Sequence, residues 1–106
     1  MLTVAPDHLE ALHRLAWSLA TCPRKSVRNG PRAVELAERA CRATGYGAPP
    51  LMDALAAAYA ESGRFKQAVD MAGRAASLAE RQDGALAEQI RRRLKRYEAH
   101  EPYREE

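Results

Sequence analysis

The segment PPLMDALAAAYAESGRFKQAVDMAGRAASLAE, residues 49–80, has the pattern of two short helices that reverse direction at residues 61–64 (ESGR). Apolar residues recur on both sides of this turn at three- and four-residue spacings, which is typical of helices that bury one side. These residues are Leu55, Ala56, Tyr59, Phe65, Ala68, Ala72 and Ala75. A single helical hairpin cannot bury its apolar side alone. The pattern therefore predicts neighbouring helices of the same kind.

Composition indicates one folded helical domain. The 106 residues are 46% hydrophobic and 29% charged, with a net charge of +3, and only 6% are aromatic. Alanine favours helices, whereas strands favour β-branched and aromatic residues. The sequence has no apolar run of about 20 residues, the length that crosses a bilayer. Its first ten residues lack the pattern of a secretory signal. We expect a cytoplasmic protein with no membrane partner.

The two cysteines do not indicate a disulfide. Cys22 follows the first predicted helix, and Cys41 lies about ten residues into the second. At 1.5 Å per residue this separates them by roughly 15 Å, whereas a disulfide needs Cα atoms within about 7 Å. We expect two free thiols and a reducing compartment.

Three further helices flank the central pair. The first runs from about residue 8 to residue 20 or 21, with Asp7 as its predicted cap and Glu10 at capping-box spacing. A loop over residues 21–31 precedes the second helix, which starts at Pro31 and ends near Gly45, a residue suited to a left-handed conformation. The fifth helix spans about residues 85–99 and has a narrow apolar stripe. We expect the charged tail, residues 100–106, to fray or lie along the surface.

The same pattern occurs twice. Residues 12–19 (LHRLAWSL) correspond to residues 52–59 (MDALAAAY), and alanines at matching steps follow in each second helix. This resembles the tetratricopeptide repeat, a unit of about 34 residues. Residues 49–82 match that repeat at Met52, Leu55, Ala56, Tyr59, Gly63, Phe65, Ala68, Ala72 and Ala75, and depart from it with Glu80 in place of the usual proline. The first unit has Leu19 instead of tyrosine and a loop about five residues too long.

The resemblance implies an all-α, right-handed α-α superhelix in a single domain, residues 1–106. Residues 1–8 would be the remnant of a preceding repeat, 9–48 a repeat with an extended loop, 49–82 a second repeat, 85–99 a capping helix and 100–106 a tail. The chain is also similar to the carboxy-terminal repeats of larger bacterial tetratricopeptide proteins. We therefore expect it to be the end of a longer array, with a tendency to dimerise by stacking of exposed ends.

The resemblance implies a protein- or peptide-binding module, and the residues themselves give no catalytic, cofactor or metal site. First helices of such repeats line a concave groove, which here would contain His13, Trp17, Thr21, Asp53, Ala57, Glu88 and Arg92. Tryptophan is common among the anchors of interfaces, although packing between first helices is the alternative interpretation for Trp17.

Two other functions stay open at this stage. The segment could be a regulatory or self-associating arm of a larger enzyme, of the glycosyltransferase or kinase type. The basic run from Arg91 to Arg96 could bind nucleic acid, but acidic residues close by favour a solvated helix face. Histidines and cysteines lack metal-ligand spacing, and no nucleophile or phosphate-loop motif occurs.

Overall fold

A computed structural model describes residues 6–22 and 28–103 of the protein. The described residues form five helices and no strand, which confirms the predicted all-α class for this part of the chain. The helices are α1 (Pro6–Thr21), α2 (Gly30–Ala43), α3 (Pro49–Glu61), α4 (Phe65–Glu80) and α5 (Gly84–Glu98). None of the helices in these ranges is both long and apolar enough to span a bilayer.

The helix α3 lies at the centre of the fold, because it packs against α1, α2 and α4. Every residue from position 51 to position 60 is buried, so this helix has no solvent-facing side. Five of these ten residues are alanines, at positions 54, 56, 57, 58 and 60. Small side chains let neighbouring helix axes approach closely, and alanine has no side-chain rotamer entropy to lose on burial. The alanine-rich composition therefore suits a helix surrounded by others.

The alanines predicted to lie between paired helices are buried. Ala33, Ala37 and Ala40 of α2 and Ala68, Ala72 and Ala75 of α4 are each at most 1% exposed. The helix α2 packs on α1 and α3, α4 packs on α3, and α5 packs on α4. The alanine positions thus coincide with helix contacts throughout the described chain.

Local signals set most helix ends. The Asn29 side chain accepts a hydrogen bond from the Arg32 backbone N–H at 3.1 Å, and Pro31 follows in the first turn of α2. Gly45, after α2, has φ of +63°, as predicted. The prediction for α1 was wrong at its start: the helix begins at Pro6, so Asp7 lies inside the first turn and is not the cap. Proline suits this place because its fixed φ is helical and it lacks the N–H that would have no partner there.

The described ends of the long loop are fixed by hydrogen bonds and an ion pair. The Asn29 N–H donates to the Leu19 carbonyl oxygen at 2.8 Å, and Arg28 Nη1 donates to the Cys22 carbonyl oxygen at 2.9 Å. Arg28 also pairs with Glu61 at 3.4 Å, which links the loop to the end of α3. Residues 23–27 of the predicted projecting loop and residues 104–106 of the tail lie outside the described residues. Of the predicted remnant of an earlier repeat (residues 1–8), residues 1–5 also lie outside them, and residues 6–8 belong to α1.

The start of the tail turns back toward α1, which sequence analysis did not predict. The Glu101 N–H donates to the Arg96 carbonyl oxygen at 2.9 Å, and His100 has a left-handed φ of +59°. The His100 ring stacks on Phe65 of α4, with centroids 5.1 Å apart and 11° between planes. Tyr103 then reaches Trp17 of α1. Of the two alternatives expected for the tail, residues 100–103 thus lie along the surface and do not fray.

A substitution at Gly30 tests the close packing of α2 against the end of α3, and a second glycine, in α4, provides the control. A Cβ at Gly30 would lie 2.6 Å from Ser62 Oγ, 3.0 Å from Ser62 N and 3.1 Å from the Glu61 carbonyl carbon. We expect Gly30→Ala to lower the free energy of unfolding by about 1–3 kcal/mol through overpacking. A Cβ at Gly73 in α4 meets nothing within 4 Å. Gly73→Ala is the matched control, and we expect it to raise stability by about 0.5–1 kcal/mol. Urea unfolding measures both, and a stabilising Gly30→Ala would contradict the packing.

The two thiols should differ in reactivity. Both cysteines are free, and Cys41 is buried while Cys22 is partly exposed. Burial, with a smaller effect of Glu38, raises the pKa of Cys41 to about 11. Because the thiolate is the reactive form, we expect iodoacetamide at pH 8 to modify Cys22 alone in the native protein and both cysteines in urea. Intact mass measures the number of adducts, and rapid native labelling of Cys41 would contradict its burial.

Candidate functional site

A buried ion pair joins α5 to α3. Arg93 of α5 donates from Nε to Asp53 Oδ1 at 3.1 Å and from Nη2 to Asp53 Oδ2 at 2.5 Å. The side chains are 12% and 6% exposed, respectively. Such a two-point contact is the geometry that a planar guanidinium and a carboxylate favour. The pair therefore fixes both the position and the orientation of the arginine.

Two aromatic rings lie against the same guanidinium. The Arg93 guanidinium carbon is 5.1 Å from the Trp17 ring centroid and 5.2 Å from the Tyr103 ring centroid. The two rings are 5.7 Å apart and tilted by 45°. We call Trp17, Arg93 and Tyr103 the aromatic–arginine cluster. The three nearly equal distances form a triangle, and the positive charge lies within the range of cation–π attraction to both rings.

Tyr97 is a buried neighbour of this cluster on α5. It is 0% exposed, and its hydroxyl has no hydrogen-bond partner among the described residues. Burial raises the pKa of Tyr97, and the charge of Asp53 acts in the same direction. The hydroxyl therefore stays protonated, and its lost hydration is not replaced by a hydrogen bond.

Burial also shifts the ionisation of the neighbouring acid and base. Loss of hydration raises the pKa of Asp53, while the hydrogen bonds and charge of Arg93 oppose this shift. Burial lowers the pKa of His13, and the nearby Asp53 charge opposes that shift. Both Asp53 oxygens accept hydrogen bonds from Arg93. The carboxylate is thus engaged in an ion pair rather than oriented toward a substrate.

The structure places the predicted groove residues in two different environments. His13 and Trp17 are half-buried, and Glu88 and Arg92 are exposed and pair with each other at 3.1 Å. Thr21, Asp53 and Ala57 are buried, so they do not form an open surface in the free chain. Thr21 Oγ1 donates to the Trp17 carbonyl oxygen at 2.7 Å, and Asp53 is bound by Arg93. Whether any of the seven contacts a partner stays a prediction.

Sequence reasoning did not include Arg93 or Tyr103 among the site residues, and it placed Tyr97 only on the apolar stripe of the fifth helix. Arg93 was grouped with a basic run assigned to solvent, and Tyr103 was assigned to a tail expected to fray or lie along the surface. One signal was available: Asp53 is the single charged residue in the apolar segment LMDALAAAYA, residues 51–60. A charge buried in a helix needs a partner, and a nearby arginine is the usual one. Which of several arginines provides it depends on the tertiary structure.

The basic run of α5 is largely neutralised by carboxylates. Arg91 pairs with Glu80, Arg92 with Glu88, and Arg93 with Asp53. Among the described residues, Lys95 and Arg96 form no ion pair. A depression of about 550 Å³ beside the cluster is lined by Gln89, Arg92, Arg93, Arg96 and Tyr103.

A second depression, of about 560 Å³, lies along α4, and its lining residues are Asp70, Gly73, Arg74, Ser77, Leu78 and Arg81. It contains no aromatic ring and no buried charge. Within residues 6–22 and 28–103, no group of three or more His, Cys, Asp and Glu side chains is placed to hold a metal ion. The cluster beside α5 is therefore the stronger candidate for a functional site.

The Asp53–Arg93 pair should stabilise the protein far more than the exposed pair next to it. Removing one partner of a buried pair leaves an uncompensated charge, so we expect Asp53→Ala or Arg93→Ala to cost about 3–5 kcal/mol. The double variant should cost less than the sum of the two single variants.

Glu88 and Arg92 form the matched control, because their side chains are 69% and 75% exposed. The same comparison of single and double variants (a double-mutant cycle) at Glu88 and Arg92 should give a coupling energy below about 0.5 kcal/mol. Chemical unfolding measures both cycles. Equal coupling in the two cycles would contradict a buried pair.

Comparison with protein-family models, with curated proteins and with solved structures found no match.

Proposed function

We propose that this chain is a non-catalytic module that binds a protein or peptide segment through the inner face of a tetratricopeptide-like superhelix. The inner face is defined here as the surface shared by α1, α3 and α5, with the aromatic–arginine cluster at its centre. Paired helices with alanine contacts and a further terminal helix support this architecture. In the proposal the hairpins stack with a right-handed twist, and α5 caps the stack.

The aromatic–arginine cluster is the single observation that carries the proposal. Tryptophan, tyrosine and arginine are the residue types most enriched among the energetic anchors of protein interfaces. Here the tryptophan of α1 and the arginine of α5 lie within 6 Å of each other, and the tyrosine of the tail contacts both. The buried Asp53 fixes the arginine, so the surface is ordered before a partner arrives. Preorganisation of this kind lowers the entropy cost of binding.

The ion pairs formed by basic residues of α5 favour a peptide over a nucleic acid as the partner. Three of the five basic residues between positions 91 and 96 pair with carboxylates. Phosphate-backbone binding depends on the number of cations available to replace counterions. An aromatic anchor beside a few cations suits a peptide better. The self-association predicted from the sequence stays a prediction, and Leu15 of α1, 48% exposed, is the large apolar residue to substitute in testing it.

A selection from a random peptide library tests the proposed function. We expect the full chain to enrich peptides that bind the wild type and lose at least tenfold in affinity on Trp17→Ala, since anchor residues contribute about 1.4 kcal/mol or more. Arg96→Ala should also weaken binding. Arg74→Ala on α4 is the control, because Arg74 is exposed and pairs only loosely with Asp70, at 3.8 Å. Circular dichroism checks that each variant is folded.

The proposal is contradicted if enriched peptides bind all three variants with wild-type affinity. It is also contradicted if Arg74→Ala weakens binding as much as Trp17→Ala, because the binding surface would then lie elsewhere.

A further inference from the structure

The route of the chain after α5 brings the tail onto the inner face. Two residues beyond the end of α5, His100 has a left-handed backbone conformation. The next residue, Glu101, donates its N–H back to the Arg96 carbonyl oxygen. This reversal is a common helix ending, but a left-handed histidine is less favourable than glycine. Stacking of His100 on Phe65 stabilises it. The turn sends Glu101, Pro102 and Tyr103 toward α1 rather than into solvent.

Tyr103 of the tail lies against the two anchors that the helices provide, Trp17 and Arg93. Its ring contacts Trp17 and lies against the Arg93 guanidinium, and it forms one wall of the depression beside α5. The other contacts of this cluster come from packed helices, whereas Tyr103 comes from a short segment beyond the last helix. The residues around it are Glu101, which is exposed, and Pro102, which is half-buried. Among residues 99–103, Tyr103 thus contacts the aromatic ring of Trp17 and the guanidinium of Arg93.

One cation beside this position, Arg96, is available to an acidic partner. The depression is lined by Gln89, Arg92, Arg93 and Arg96 in addition to Tyr103, with no carboxylate among the lining residues. Arg92 and Arg93 pair with carboxylates outside the depression, and Arg96 forms no ion pair within the described part. In the sequence of the tail, Glu101 precedes the tyrosine, and Arg104, Glu105 and Glu106 follow it. Its sequence thus has the composition that this surface would attract.

Resting on the binding function proposed above, we propose that Tyr103 is an internal ligand of the inner face, and that the partner is an extended peptide presenting an aromatic side chain beside carboxylates. Such a peptide binds by displacing Tyr103 from Trp17 and Arg93. The tail then competes with the partner, because it covers the aromatic surface in the free protein. Only a peptide that binds this surface more strongly than the attached tail displaces it. A tethered segment has a local concentration in the millimolar range, so even a weak contact keeps the face covered.

The fluorescence of Trp17 reports occupancy directly, because this is the only tryptophan of the chain. We expect Tyr103→Ala to shift Trp17 emission to longer wavelength and to increase its quenching by iodide at least twofold, while helical circular dichroism is retained. Tyr46→Ala is the matched control, since Tyr46 is also half-buried but lies between α2 and α3. It should leave Trp17 emission unchanged. A second variant, Glu101→Gly with Pro102→Gly, keeps Tyr103 but loosens the tail, and should give an intermediate shift.

A synthetic peptide with the sequence of residues 99–106, AHEPYREE, tests displacement in trans. Titrated into the full-length Tyr103→Ala variant, it should restore the wild-type Trp17 emission. Its affinity for the wild type should be at least tenfold weaker, because the attached tail competes. A peptide with alanine in place of the tyrosine should bind neither protein. Arg96→Ala in the Tyr103→Ala background should weaken binding of the peptide, which checks the role of charge.

Three results would overturn the inference. In the first, Trp17 emission is unchanged in both tail variants, so Tyr103 does not cover the face. In the second, the folded Tyr103→Ala variant binds no AHEPYREE peptide. In the third, the wild type and Tyr103→Ala bind the peptide equally. If Tyr103→Ala does not fold, the AHEPYREE peptide is titrated into the variant that carries both Glu101→Gly and Pro102→Gly. Binding no tighter than to the wild type would then overturn the inference. The Trp17 fluorescence measurements need no external partner. The inference about Tyr103 can therefore fail while the peptide selection supports the proposed function, and it can hold while the selection fails.

Discussion

A carboxylate placed within the most buried helix of the protein requires a cation to reach it. Asp53 lies on α3, which is enclosed by α1, α2 and α4, and an unpaired charge there would be very costly. Arg93 provides the cation from α5, through two hydrogen bonds. This requirement fixes the rotation of α5 about its own axis. It also places Tyr97 inward and leaves Arg91 and Arg92 to pair with other carboxylates. One buried ion pair thus determines which side of the terminal helix faces the rest of the fold.

The close approach of the helices depends on alanine. Alanines at 33, 37 and 40 of α2 and at 68, 72 and 75 of α4 are almost completely buried, and alanine side chains allow short distances between axes. Because alanine side chains are small, the few large buried residues provide a large share of the side-chain volume in the core. Leu55, Ile90 and Tyr97 are fully buried. Trp17 and Tyr103 are only half-buried and lie at the inner face. Two of the six aromatic residues thus lie at the inner face, whereas Tyr59 and Tyr97 are buried in the core.

Sequence reasoning could place the helices because their signals are local. The spacing of alanines, the turn at Gly63 and the stop at Gly45 lie within a few residues of the structure that they produce. The candidate site was predicted less well because its residues are far apart in sequence. Asp53 and Arg93 are 40 residues apart, and nothing local separates Arg93 from Arg91 or Arg92. Tyr103 contacts Trp17 through a turn at His100, a residue that adopts left-handed backbone only with help from a distant ring, Phe65. The start of α1 was misplaced because two adjacent residues, Pro6 and Asp7, both fit a helix start.

Native-state hydrogen exchange tests most directly whether the ion pair makes α5 part of the core. If Asp53 and Arg93 are paired and buried, the most protected amides of α5 (Gly84–Glu98) should exchange with the same opening free energy as those of α3 (Pro49–Glu61). This common value should equal the global free energy of unfolding. Exchange of α5 through an opening several kcal/mol below that of α3, with α3 still protected, would mean that the terminal helix is held only by its contacts with α4. That result would contradict the account.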